Sequence, residues 1–218
     1  MAENLEIIGQ SAIEHLALKH AARERALPKS RTAIRYCANS IRAAHRQEFS
    51  AAQELLSHAA TLIAEIAADL QQHQDIYYAG FAQDAQKEYT EAATFAALIQ
   101  HQPFPAADKL GVGWAAYLNG LGEAVGELRR YILDQLRQGH YADCETYLRY
   151  MDDIYALLIS VDFPDAITSG LRRTTDVTRG ILEKTRGDLT SAIGQLHLQQ
   201  SMQALQQELQ RRQPDSYS

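Results

Sequence analysis

The stretch Gln83-Asp84-Ala85-Gln86-Lys87-Glu88-Tyr89-Thr90-Glu91-Ala92 decides how this chain is read. On a helix, Glu88 and Glu91 stand at i,i+3 and Asp84 sits one turn before Glu88, so the three project from roughly one face. Further on, Glu123-Ala124-Val125-Gly126-Glu127 repeats the arrangement at i,i+4. If the two helices pack with their acidic faces inward, four or five carboxylates converge. Like charges that close repel, and the usual remedy is a divalent cation held by oxygen ligands. The pair is therefore expected to carry a Mg²⁺ or Mn²⁺ site, to which the rest of the chain brings a nucleic acid.

Working outward, the composition favours helices. The 218 residues include only 12 Gly and 5 Pro, beside abundant Ala, Leu, Gln and Glu. The length suits one sizeable core, read as a single domain over 1–218. The two cysteines, Cys37 and Cys144, have no C-x-x-C spacing and support neither a zinc site nor a disulfide framework. Cys37 reads as a small core residue. Met1-Ala2-Glu3-Asn4 opens no signal peptide, and the apolar run Ala156–Val161 is far too short to span a bilayer. A soluble, cytoplasmic protein with no membrane partner is expected.

The net charge of -6 argues against indiscriminate nucleic-acid binding. Its distribution says something else. From Lys19 to Arg46 stand Lys19, Arg23, Arg25, Lys29, Arg31, Arg35, Arg42 and Arg46, opposed only by Glu24. A basic segment in an acidic chain points to a directed anion-binding surface.

Along the chain, a first helix is expected from about Leu5 to Arg25, with Ile8, Ile13, Leu16 and Leu18 as an imperfect apolar stripe. Pro28 should end it or begin a turn, and Ser30 should cap a second helix. Ile34, Cys37, Ala38, Ile41 and Ala44 mark the buried face of that second helix. Arg31, Arg35, Arg42 and Arg46, at offsets 0, 4, 11 and 15, form a continuous face of their own. Gln47–Ser50 breaks the helix before Leu55 to Ile66. One further helix is expected to hold Tyr77, Tyr78, Phe81 and the acidic cluster, stopping at His101–Pro105. Trp114 to about Arg137 is helical and ends at Gly139; Tyr141 to about Val161 comes next. After Gly170, Leu182, Leu189 and Leu196 repeat at seven, and Met202, Leu205 and Leu209 continue the stripe, hinting at packing between subunits. Residues 211–218 read as a frayed tail. No β-alternation is found; the reading is all-α, with six or seven helices.

At this point the chain resembles the translin family, which includes translin and translin-associated factor X, over roughly Arg31 to Thr190. The blocks that carry the resemblance are Ser30-Arg31-Thr32-Ala33-Ile34-Arg35, Ile41-Arg42-Ala43-Ala44-His45-Arg46 and Gln86-Lys87-Glu88-Tyr89-Thr90-Glu91-Ala92. Tyr117-Leu118-Asn119-Gly120-Leu121-Gly122-Glu123-Ala124-Val125-Gly126-Glu127-Leu128-Arg129-Arg130 and the stretch from Gly170 to Thr190 complete the set. The resemblance implies a helical protomer in a hollow homo-oligomer of about eight subunits enclosing RNA or single-stranded DNA. It also allows a second, paralogous subunit type. The factor X branch is similar to a Mg²⁺-dependent endoribonuclease. Its acidic motifs match Glu88, Glu91, Glu123 and Glu127, the four implied catalytic residues. Factor X proteins commonly carry aspartate where this chain has Glu123; the carboxylate is kept on a longer arm.

In that reading Glu88, Glu91 and Glu123 hold the metal. Glu127 is a further ligand, an orienting group or the general base, and Asp84 is a weaker candidate. Arg31, Arg35, Arg42, His45, Arg46 and Arg130 are the candidate nucleic-acid contacts, because guanidinium forks suit phosphate oxygens. Arg129, Arg172, Arg173, Arg179 and Arg186 rank behind them. The alternative is a binding shell of translin type that holds RNA or single-stranded DNA without cutting it. A di-iron carboxylate bundle would need a Glu-x-x-His pair on each of two helices, and the chain offers none.

Overall fold

Residues 2–212 are described by a computed structural model. Among them, six long helices carry the fold: α1 (Ala2–His45), α2 (Phe49–Asp69), α4 (Gly80–Leu98), α6 (Trp114–Arg137), α7 (Cys144–Ser160) and α9 (Leu171–Arg212). Three helices of four residues each, α3 (Gln74–Tyr77), α5 (Ala107–Leu110) and α8 (Asp165–Thr168), lie in the connections, and the described residues contain no strand. None of the helices is long and apolar enough to cross a membrane.

The layers follow from which faces are apolar. Helix α4 packs on α1, α2 and α6, and α6 in turn packs on α7 and α9. Phe95, Leu121, Leu128, Ile132, Met151 and Ile154 fill the space between them and are fully buried. The α4–α6 pair thus lies at the centre, as the acidic faces required.

Two boundaries differ from the sequence reading. Pro28 does not end the first helix; α1 runs through it for 44 residues. An interior proline costs about 3 kcal/mol, and contacts on both sides offset it here. Ala22 and Ala26 are buried against Ile66, Leu70 and Ile76. Arg25 pairs with Asp69 at 3.4 Å, and Lys29 reaches Glu65 and Asp69, each at 2.8 Å. Ser30 is therefore not a cap: its hydroxyl donates to the Leu27 carbonyl at 2.9 Å within the helix.

The helix expected to carry both Tyr77 and the acidic cluster is split. Ala79 is extended (φ -71°, ψ 152°) and separates α3 from α4. The break lets Gln83 donate to the Tyr77 carbonyl at 3.1 Å and Gln86 to the Tyr77 hydroxyl at 2.8 Å.

The chain ends project beyond the core. Leu5, Ile8, Ile13, Leu16 and Leu18 are exposed, as are Met202, Leu205 and Leu209; Leu182 and Leu189 are buried. Arg211 and Arg212 continue α9, and the rest of the expected tail lies outside the described residues.

Candidate functional site

Close approach of α4, α6 and α9 builds the site. At Gly120 a Cβ would stand 2.6 Å from both the Lys87 carbonyl oxygen and Thr90 Cβ, so only glycine lets α6 lie this near α4. At Gly122 a Cβ would collide with the Thr174 methyl group of α9. Polar side chains fix the register. The Gly113 N–H donates to Gln86 at 2.9 Å, and Asn119 donates to the Thr168 carbonyl at 2.9 Å while accepting the Thr174 hydroxyl at 2.6 Å.

With the helices held so, Glu88, Glu91 and Glu123 converge. Each offers an oxygen within 4.8 Å of the other two, and all three are half-buried. They line a cavity of about 610 Å³ shared with Glu127, Gly126 and Arg173. Oxygens on one octahedral ion stand about 3 to 4 Å apart, so this donor set fits a hard divalent cation with only a small contraction. The electrostatics agree. Burial, then the charges of Glu88, Glu123 and Glu127, push the Glu91 carboxyl up to about 8. Burial and Glu123 also raise Glu88. A positive charge placed among them would relieve both. Behind the cluster, the Cys37 thiol of α1 is wholly buried. Its surroundings and the two glutamates raise it to about 12, which leaves it an inert core group.

One cation is already present. The Lys87 ammonium donates to Glu123 Oε1 at 2.7 Å across the helix pair, not to Glu91 on its own helix. Burial works against its charge, yet Glu123, Glu88 and Asp84 hold it above its ordinary value. Asp84 is exposed and lies outside the group of three carboxylates. It borders a neighbouring cleft with Lys87 and Glu123.

Glu127 lies on the other side of the cavity. Its Oε2 is 2.5 Å from His45 Nε2 and 3.8 Å from Arg130. Beyond it opens a second cleft of about 810 Å³, lined by Arg42, His45, Arg46, Arg130, Arg137 and His140 among others. Acidic cavity and basic cleft share the His45–Glu127 pair as their common wall.

Of the predicted arginines, Arg42, Arg46 and Arg130 therefore meet in one place. Arg31 and Arg35 continue the exposed face of α1 outside that cleft. Arg46 is engaged by Glu48 through two bonds of 2.9 and 2.6 Å, and Arg42 donates to Asn39 at 2.6 Å. Arg129 is tied to Thr185 and Asp188, and Arg186 to Asp152, so both join helices to one another. Arg172 and Arg179 line a different cavity near α8.

Sequence reasoning passed over Arg137 and His140, although Arg137 stands seven residues after Arg130 and so on the same face. It ranked Arg173 low because nothing local in α9 shows that the residue reaches a cavity between α4 and α6.

Comparisons with known proteins agree with this architecture. Over 199 residues the chain is 30% identical to an uncharacterized protein of Methanocaldococcus jannaschii, covering 89% of this chain and 86% of the relative. It superposes on AfC3PO in complex with duplex RNA with a TM-score of 0.78 and 34% identity, covering 84% of this chain and 95% of that one. AfC3PO alone gives a TM-score of 0.77 at the same identity and coverage. Apo NeC3PO shares the fold at 19% identity, with a TM-score of 0.75 over 85% of this chain and 96% of the other. Residues 24–186 match the Translin family, a span that contains the four glutamates and the basic cleft, and the chain belongs to that family.

Proposed function

We propose that this protein binds RNA or single-stranded DNA and cleaves RNA as a Mg²⁺- or Mn²⁺-dependent endoribonuclease. The observation that carries the reading is the convergence of Glu88, Glu91 and Glu123 beside a cleft rich in arginine. Membership of the translin family, and the likeness to a protein solved in complex with duplex RNA, support the nucleic-acid part.

Glu88, Glu91 and Glu123 are the carboxylates that would hold the cation, and an ion bound there would supply positive charge and Lewis acidity for phosphodiester hydrolysis. Arg42, Arg46, Arg130 and Arg137 hold neighbouring phosphates and supply affinity for the backbone beside the carboxylates. Glu127, outside the group of three, accepts the proton of the attacking water. Arg173 lines the cavity from the α9 side. We take the working form to be a hollow cytoplasmic homo-oligomer of about eight subunits with inward-facing sites. The exposed apolar stripes of α1 and α9 supply surface for contacts between subunits.

The test is cleavage of labelled RNA by the purified protein with Mg²⁺, with Mn²⁺ and with chelator, beside a Glu123→Ala variant that still assembles. Metal-dependent cutting should fall about 10³-fold in the variant while RNA affinity is kept. Tight binding without cutting, under every metal and in both proteins, would leave the translin-type binding shell.

A further inference from the structure

We infer that His45 is a positioning residue of the site: its Nε2–H holds the Glu127 carboxylate in the setting from which it takes the water's proton. This rests on the nuclease reading above.

The ring has little freedom. Its side chain is 9% exposed, and it packs against Phe95 and Tyr131 with centroid separations of 4.6 and 6.0 Å. Nδ1 is buried without a hydrogen-bond partner, so the ring's polar contact is made through Nε2, 2.5 Å from Glu127 Oε2. Packing against Phe95 and Tyr131 confines the ring, and with it the direction in which Nε2 meets Glu127.

The second contact behaves differently. The Arg130 side chain is 60% exposed and stands 3.8 Å from the same Oε2. Free to swing toward a phosphate in the basic cleft, it fixes little by itself. Both contacts fall on Oε2 and Glu127 lines the carboxylate cavity, so in this proposal Oε1 is the oxygen that takes the water's proton. Carboxylates at metal sites are themselves held by hydrogen bonds from neighbouring groups, which fix their orientation.

His45 sits between Arg42 and Arg46 in sequence, yet its ring is turned inward while theirs are exposed. Positioning Glu127, not gripping phosphate, is the role this geometry assigns to it.

The experiment compares wild type, His45→Phe and His45→Gln in the assembled protein. Phe keeps the aromatic packing and removes the donor; Gln restores an N–H of similar reach. His45→Phe should lower kcat about 10- to 100-fold with KM and RNA Kd unchanged within about threefold, and His45→Gln should recover most of the loss. ¹⁵N-histidine spectra of the wild type, which need no activity, should show a slowly exchanging, strongly downfield Nε2–H that Glu127→Leu abolishes. Weaker RNA binding at unchanged kcat in His45→Phe would make His45 a phosphate contact and overturn the proposal. So would full activity in that variant. Absence of cleavage by wild type while the downfield proton persists would mean that the nuclease reading failed and not the pairing.

Discussion

The carboxylate cavity and the arginine face of α1 both arise from helical periodicity, but different forces hold them. The glutamates project between helices whose separation is set by Gly120 and Gly122, and their environment shifts their protonation. The arginines lie on the surface, where Arg31 and Arg35 project into solvent and Arg42 and Arg46 lean on local partners. Chemistry that depends on tenths of an ångström belongs in the first region. Attraction that depends on charge at a distance needs only the second.

That contrast breaks most sharply at Gly120. Gly120→Val changes no charge, but its side chain must push α6 away from Lys87 and Thr90. We expect a loss of about 2–3 kcal/mol, read as a Tm lowered by about 5–10 °C. Mn²⁺ binding by calorimetry should weaken more than tenfold. Unchanged metal affinity would show that the carboxylates do not depend on the close helix approach.

The surface region is tested by Arg42→Ala together with Arg46→Ala. RNA affinity should drop about tenfold at low salt, and the slope of log Kd against log salt should fall by about 1 to 2. The cleavage rate at saturating RNA should stay within about threefold, because the carboxylates are untouched. A lowered rate at saturation would mean that the two regions are one machine.

A smaller effect sharpens the electrostatic side of the comparison. The folded Glu91 carboxyl is raised to about 8, above its unfolded value of about 4.3. Between those limits the folded state binds more protons, so Glu91 lowers stability as pH rises through the interval. In metal-free protein, Glu91→Gln should raise Tm by about 3–5 °C at pH 8.5 and leave it unchanged at pH 4. Equal Tm values at both pH values would remove the argument that these carboxylates await a cation.

Much of this was legible from residue order. The all-helical class and the α6 boundaries at Trp114 and Arg137 follow from spacing and from the scarcity of glycine and proline, and the shared face of Glu88 and Glu91 follows from their i,i+3 spacing. Local pattern misled at Pro28, because Asp69, Glu65 and Ile66, which hold both sides of it, lie forty residues away. The same limit hid the partner of Lys87. On its own helix Glu91 is one turn off, whereas Glu123 arrives only when α6 packs. His45 looked like a surface neighbour of two arginines, and only the positions of Phe95 and Tyr131 show that its ring turns inward.

Gly120 and Gly122 have a mechanical consequence. They stand two residues apart, about 200° around the helix axis, so one notch receives α4 and the other receives α9 from the opposite side. Rolling α6 in either direction drives backbone or side chain into a neighbour. The helix is keyed like a shaft in a slot, with one rotational setting, and that setting is what aims Glu123 and Glu127. Kinematically, the spacing of the acidic centre is a roll angle locked by two missing methyl groups.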